Sequence, residues 1–260
     1  MSKPANTTLR MLYGTAWKKE RTTALVTQAL QAGFLAVDTA AQPKHYQEHL
    51  VGKGVRTFLS GSNLTRGELY LQTKYTSING QDPNNLPYDP STSITEQVKA
   101  SVASSLHNLR HTEDVEDSYI DCLVLHSPLP NIQQTMEAWD AMASFYAATG
   151  WDIGLREFCK ENSIEYQSFW TLTGNPKFLG IPLVTRAAEE IGVSVEVAIY
   201  ALVQGLGITP INGTTSHIET DIAKLLKLEE WKAKGHNSET WGKTVRAFEL
   251  LLQKWSLASY

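Results

Sequence analysis

Short apolar runs alternate along this chain with segments whose apolar residues recur at helical spacing, and that alternation restricts the fold more than any other feature. Met11-Leu-Tyr-Gly-Thr15 is a predicted strand ending in a Gly-Thr turn, and Glu20–Ala32 is a predicted helix with Ala24, Leu25, Ala29 and Leu30 on one face. Gly33 follows as a C-terminal cap signal. Phe34–Val37, Leu69–Lys74 and Tyr119–Leu125 are further strand candidates, separated by helical patterns over Tyr46–Leu59 and over a segment ending at Leu109. Ser93-Ile-Thr-Glu96 opens that second helix with a Ser-x-x-Glu capping box. The near-continuous apolar character of Tyr119–Leu125 predicts burial on both faces. Ile132–Phe145 is a fourth helix. Strand–helix alternation of this kind predicts a parallel sheet covered by helices.

After Phe145 the rhythm fails. Tyr146-Ala-Ala-Thr-Gly150 runs into another helical pattern, Trp151–Glu161, with no strand between. Two successive helices without a strand do not fit the usual right-handed crossover. Alternation then resumes with a strand over Ile164–Trp170, a helical stretch over Pro182–Leu206 and a last strand over Ile208–Ile211. Ser216–Leu228 and Lys243–Trp255 are closing helices. The expectation is one α/β domain over residues 1–260 of (β/α)8 TIM-barrel-like type. It is incomplete, with six strand candidates where a closed barrel has eight, and it has a deletion junction near residues 145–150.

Four polar residues stand in or just after apolar strand-like runs. They are Asp38 in Val37-Asp-Thr-Ala40, Tyr46 in Tyr-Gln-Glu-His-Leu-Val-Gly52, Lys74 in Leu69-Tyr-Leu-Gln-Thr-Lys-Tyr75, and His126 in Leu125-His-Ser-Pro128. Catalytic groups of an α/β barrel collect at the C-terminal ends of its strands. An acid, a phenol, an amine and an imidazole gathered there are the parts of a proton-delivery site. A net charge of −4 without a basic stripe argues against a nucleic-acid partner. No apolar run approaches the roughly 18 residues a membrane helix needs, so no membrane partner is expected. Two cysteines, Cys122 and Cys159, make no disulfide framework, and a cytoplasmic setting is expected.

Taken with their flanking residues, these four segments resemble the aldo-keto reductase family, which has an Asp, Tyr, Lys and His tetrad in this order. The resemblance implies NAD(P)H-dependent reduction of an aldehyde or ketone, with Tyr46 as general acid, Lys74 as its tuner, Asp38 as the partner of Lys74, and His126 orienting the carbonyl. An ammonium beside a phenol favours the phenolate, so Tyr46 is expected to titrate below its ordinary value near 10. The loop between Asp38 and Tyr46, Thr-Ala-Ala-Gln-Pro-Lys-His, is longer than the family's common form, and Glu48 and Val51-Gly52 fix Tyr46 as the match.

The resemblance also implies a cofactor, NADPH or NADH, laid across the barrel mouth. It assigns Gly14 and Thr15, Asp38, Trp170 as a stacking partner for the nicotinamide, and Asn212, Gly213, Thr214 and Thr215 on the phosphate. The Lys and Arg that usually hold the 2′-phosphate are replaced by uncharged residues and His217. The family's Lys-Val-Arg strand, its Gly-x-Ser-Asn turn and the following Gln-bearing strand have no counterpart here, as if roughly 30 residues were lost from an ordinary barrel. His45-Tyr-Gln-Glu48-His49 spells an inverted zinc-protease signature. It lacks a supporting third ligand, and no metal site is assigned. The alternative is a non-catalytic relative that keeps the tetrad while its cofactor seat is impaired.

Overall fold

The computed structural model describes residues 11–115, 117–143, 166–168 and 171–257. The chain divides into two compact units. The first runs from Leu12 through the fourth helix and includes Gly213–Thr215, and the second holds the remaining later elements.

In the first unit four parallel strands alternate with four helices: β1 (Leu12–Gly14), α1 (Thr22–Gln31), β2 (Ala36–Asp38), α2 (Glu48–Ser60), β3 (Tyr70–Tyr75), α3 (Ile94–Leu109), β4 (Cys122–Leu125) and α4 (Ile132–Ala143). The strand order β4-β3-β2-β1 follows the chain, with Leu12 opposite Ala36, Asp38 opposite Gln72, and Lys74 opposite Val124. Gly33, with φ 102°, sits in the left-handed region as expected of a residue that closes α1. At α3 both halves of the capping box form, Ser93 with the Glu96 amide and the Glu96 carboxylate with the Ser93 amide.

Side chains on a strand alternate between faces. On β3 one face carries Thr73 and Tyr75 into the helix layer, where Tyr75 packs with Val98 and Val102 of α3, Leu123 of β4 and Met142 of α4. The other face carries Gln72 and Lys74. β4 departs from the expectation of complete burial: Leu123 and Val124 are buried, while Cys122 and Leu125 at its ends are half-buried.

The second unit contains β5 (Tyr166–Ser168), α5 (Pro182–Ile191), α6 (Val195–Gly205), β6 (Ile208–Asn212), α7 (Ile218–Lys232) and α8 (Asn237–Leu257). β5 and β6 pair in parallel. The single helix expected over Pro182–Leu206 is two. Gly192 closes α5 in the left-handed conformation at φ 75°, and Ser194 precedes α6 in an extended one. An edge-on contact between Phe178 and Phe248, 5.8 Å between centroids, ties the turn before α5 to α8. Six parallel strands among the described residues, with helices between them, are an incomplete TIM-barrel-like α/β architecture. The expected junction at 145–150 and the helix expected over 151–161 lie outside the described residues.

Candidate active site

Asp38 closes β2, and the β2–β3 register places Gln72 beside it and Lys74 one step further on the same face of β3. The Lys74 ammonium donates to both Asp38 carboxylate oxygens, at 2.6 Å each, and to the Thr39 carbonyl at 2.7 Å. All three ammonium donors are thereby used. Both residues are buried, and Gln72 Nε2 adds a donor to Asp38 Oδ1 at 2.7 Å. Tyr46 lies two residues ahead of α2, its amide bonded to the Gln42 carbonyl. Lys74 Nζ stands 5.0 Å from the centroid of its buried ring. His126 follows β4 and extends the ladder by donating its amide to the Tyr75 carbonyl. Its ring meets Tyr46 edge-on, 5.8 Å between centroids, and its Nδ1 pairs with Thr76 Oγ1 at 2.7 Å. The structure thus brings Asp38, Tyr46, Lys74 and His126 together within the first unit.

Their electrostatics differ from the sequence expectation in one respect. Tyr46 is pushed above its ordinary value, first by burial and then by the negative charge of Asp38. A lowered value was expected from Lys74. Burial outweighs it, and the Asp38 carboxylate bound to the ammonium offsets the field the phenol would feel. His126 is pushed down to about 3 by burial, with Lys74 and His45 adding positive charge nearby. At neutral pH the site therefore offers a protonated phenol and a neutral imidazole.

Thr15 is fully buried, and both its amide and its hydroxyl donate to the Asp38 carbonyl, which ties β1 to β2. Gly14 ends β1 opposite Asp38. The Thr39 hydroxyl is buried without a hydrogen-bond partner among the described residues, a polar atom left over beside Asp38. Gly213–Thr215 belong to the same unit, and the Lys18 ammonium donates to the Gly213 carbonyl. Burial and the neighbouring Arg21 lower Lys18 to about 8, so most of it is charged at neutral pH. In the second unit Asn212 is buried and its Nδ2 donates to Asp221 Oδ2 at 2.9 Å. Trp170 lies outside the described residues.

Several residues of this site escaped the sequence reading. Lys18 is one, three positions after the Gly14-Thr15 turn and far in sequence from Gly213. Trp17 is another: it is 52% exposed, holds a left-handed φ of 58°, and stacks tilted on His45 at 5.3 Å. A non-glycine residue held at positive φ stores strain, which tends to cluster at functional sites. Thr76 and Gln72 were legible only through the register that sets them beside His126 and Asp38. Glu48 of the zinc-like signature is buried, and its carboxylate accepts from Thr73 Oγ1 at 2.5 Å and from Ser105 Oγ at 2.9 Å. That carboxylate ties α2 to β3 and α3. A cavity of about 300 Å³ lies beside Tyr46, lined also by Gln42, Glu48, His49, Asn85 and Asn108.

A family profile described as the aldo/keto reductase family matches residues 9–150. An uncharacterized oxidoreductase of Schizosaccharomyces pombe is 28% identical over 121 residues, a match spanning 46% of this chain and only 35% of that relative. Among solved structures, an aldo/keto reductase from Brucella melitensis superposes with a TM-score of 0.65 at 20% identity, over 90% of this chain and 94% of that one. An aldo-keto reductase of the silkworm Bombyx mori gives 0.66 at 13% identity over 90% and 83%. Its complex with NADPH gives 0.67 at 13% identity over 90% and 84%. At these identities the solved structures speak for the fold, while the profile covers more than half of the chain. The chain belongs to the aldo/keto reductase family.

Proposed function

We propose that this protein reduces the carbonyl of a small aldehyde or ketone to an alcohol at the expense of NADPH or NADH. The observation that carries the reading is the buried Asp38–Lys74 pair set under the Tyr46 ring, with His126 edge-on to the same ring. A reduced nicotinamide, when bound, supplies the hydride that adds to the carbonyl carbon. Tyr46 holds the proton for the oxygen and releases it as negative charge builds there. Lys74, fixed by Asp38 and the Thr39 carbonyl, keeps a positive charge beside the phenolate that results. His126, with Nδ1 engaged by Thr76, presents Nε2 as its other ring nitrogen to orient the carbonyl. General acid assistance of this kind is worth about a hundred- to ten-thousand-fold.

The family uses NAD(P)H, and the described residues suit such a group in two places. The unpartnered Thr39 hydroxyl lies beside Asp38, where a ribose hydroxyl would find a partner. Lys18 supplies a cation at the Gly213 carbonyl, next to the stretch Gly213, Thr214 and Thr215 assigned to phosphate. Gly14 and Asp38 complete the proposed contacts within the first unit, and a cytoplasmic location is part of the same proposal.

A second reading, an inherited and idle tetrad, is favoured by one observation. The Thr15 hydroxyl and the Asn212 amide, both assigned to the cofactor, already donate within the protein. Fluorescence titration of the whole chain with NADPH and NADH separates the two. Saturable micromolar binding supports the reductase; a cooperatively folded chain that binds neither is an idle relative.

A further inference from the structure

Gln72 is fully buried on β3, two residues before Lys74 and on the same face. A buried amide requires partners, and the β2–β3 register sets this one directly against Asp38. Only the Nε2 end can face a carboxylate, since Oε1 would set acceptor against acceptor. Nε2 donates to Asp38 Oδ1 at 2.7 Å, the same oxygen that takes Lys74 at 2.6 Å. An apolar residue would fill this position without fixing the carboxylate plane. Two donors, two residues apart on one face of β3, hold the Asp38 carboxylate with both oxygens turned to the ammonium.

We propose that Gln72 is a positioning residue for the reduction: it locks the Asp38 carboxylate against Lys74 and takes up part of its charge, leaving more of the ammonium's field for Tyr46. The inference rests on the reductase reading above. It assigns Gln72 no contact with substrate or cofactor. A carboxylate that shares its charge with a neutral donor binds its ammonium less completely, and the phenolate formed on proton release keeps a nearer, less screened cation.

Three variants test it. Gln72→Met keeps the volume and removes the donor. It is expected to lower kcat about ten- to a hundred-fold with little change in KM or in NADPH affinity. Gln72→Glu sets a second carboxylate beside Asp38, so one of the pair takes up a proton as pH falls, and a protonated Glu regains a donor. Its activity, relative to the parent, is expected to recover toward acid pH, while that of Gln72→Met does not. A merely structural role would move both variants in parallel at every pH, and that result overturns the proposal.

A thermal-melt cycle with Asp38→Ala supplies a readout that needs no turnover. The Tm loss from Gln72→Met is expected to shrink by at least half once Asp38 is absent. Additive losses overturn the proposed bond, even in an inactive chain. If the parent lacks carbonyl reductase activity while the Tm losses are non-additive, the positioning of Asp38 stands and the reductase reading alone fails.

Discussion

At Tyr46 and His126 the same burial acts in opposite directions, holding the phenol protonated and the imidazole neutral. For His126 this has a consequence for stability. Its folded value of about 3 lies below the unfolded 6.5, so the unfolded chain binds the extra proton between those limits. Stability is therefore expected to fall as pH drops from 6.5 toward 3, by up to about 1.4 kcal/mol per unit and less where solvent reaches the ring. Melts of the parent and of His126→Gln across that window check it: the variant is expected to lose part of the slope. Glu48 runs the other way. Burial raises its carboxyl above the ordinary 4.5 despite help from Thr73 and Ser105, so the folded state keeps a proton that the unfolded state gives up. Stability is lost as pH rises above the ordinary carboxyl value, and Glu48→Gln is expected to flatten the loss in a urea series run upward from that value. Asp38, Lys74 and His126 were legible because each closes or follows an apolar strand-like run, and Tyr46 through the Glu48 and Val51-Gly52 that flank it. Lys18 and Gln72 were not, since a polar residue announces nothing until the register shows what it faces.

Element by element, the helices of the first unit lie close to where caps and apolar spacing put them, and the close approaches between them are what the pattern hides. A Cβ on Gly52 of α2 would stand 2.0 Å from the Asn108 carbonyl oxygen of α3. Gly52→Ala is thus expected to push the two helices apart at a cost of about 3 kcal/mol, the upper end for overpacking, since backbone rather than a side chain must yield. Differential scanning calorimetry reads it as a Tm loss of several degrees. Ser93→Ala, by contrast, removes one half of a capping box on a solvated turn and is expected to cost about 1 kcal/mol. Caps are local chemistry and read directly from Ser-x-x-Glu. The break at Gly192 was missed because the residues on either side share one helical apolar period, which outweighed the glycine as a cap signal; its positive φ marks the corner.

On the scale of the whole chain, the alternation of strands and helices foretold the parallel α/β architecture, and its failure after Phe145 foretold a shortfall of strands. We propose that this shortfall is a loss of roughly 30 residues from an ordinary barrel, and with them of the Ser-Asn and Gln that in the family fix the nicotinamide carboxamide. Relaxed facial selectivity follows. With NADPH deuterated on one face of C4, the alcohol is expected to carry deuterium from both labelled forms, and mass spectrometry of the product measures the ratio. Whether Tyr46, beside the Asp38–Lys74 pair, works as a proton donor is decided by aldehyde-dependent NADPH oxidation in the parent and in Tyr46→Phe. Turnover is expected in the parent, with a loss of about a hundred- to ten-thousand-fold in the variant and NADPH binding retained. Equal rates in the two proteins would contradict that role.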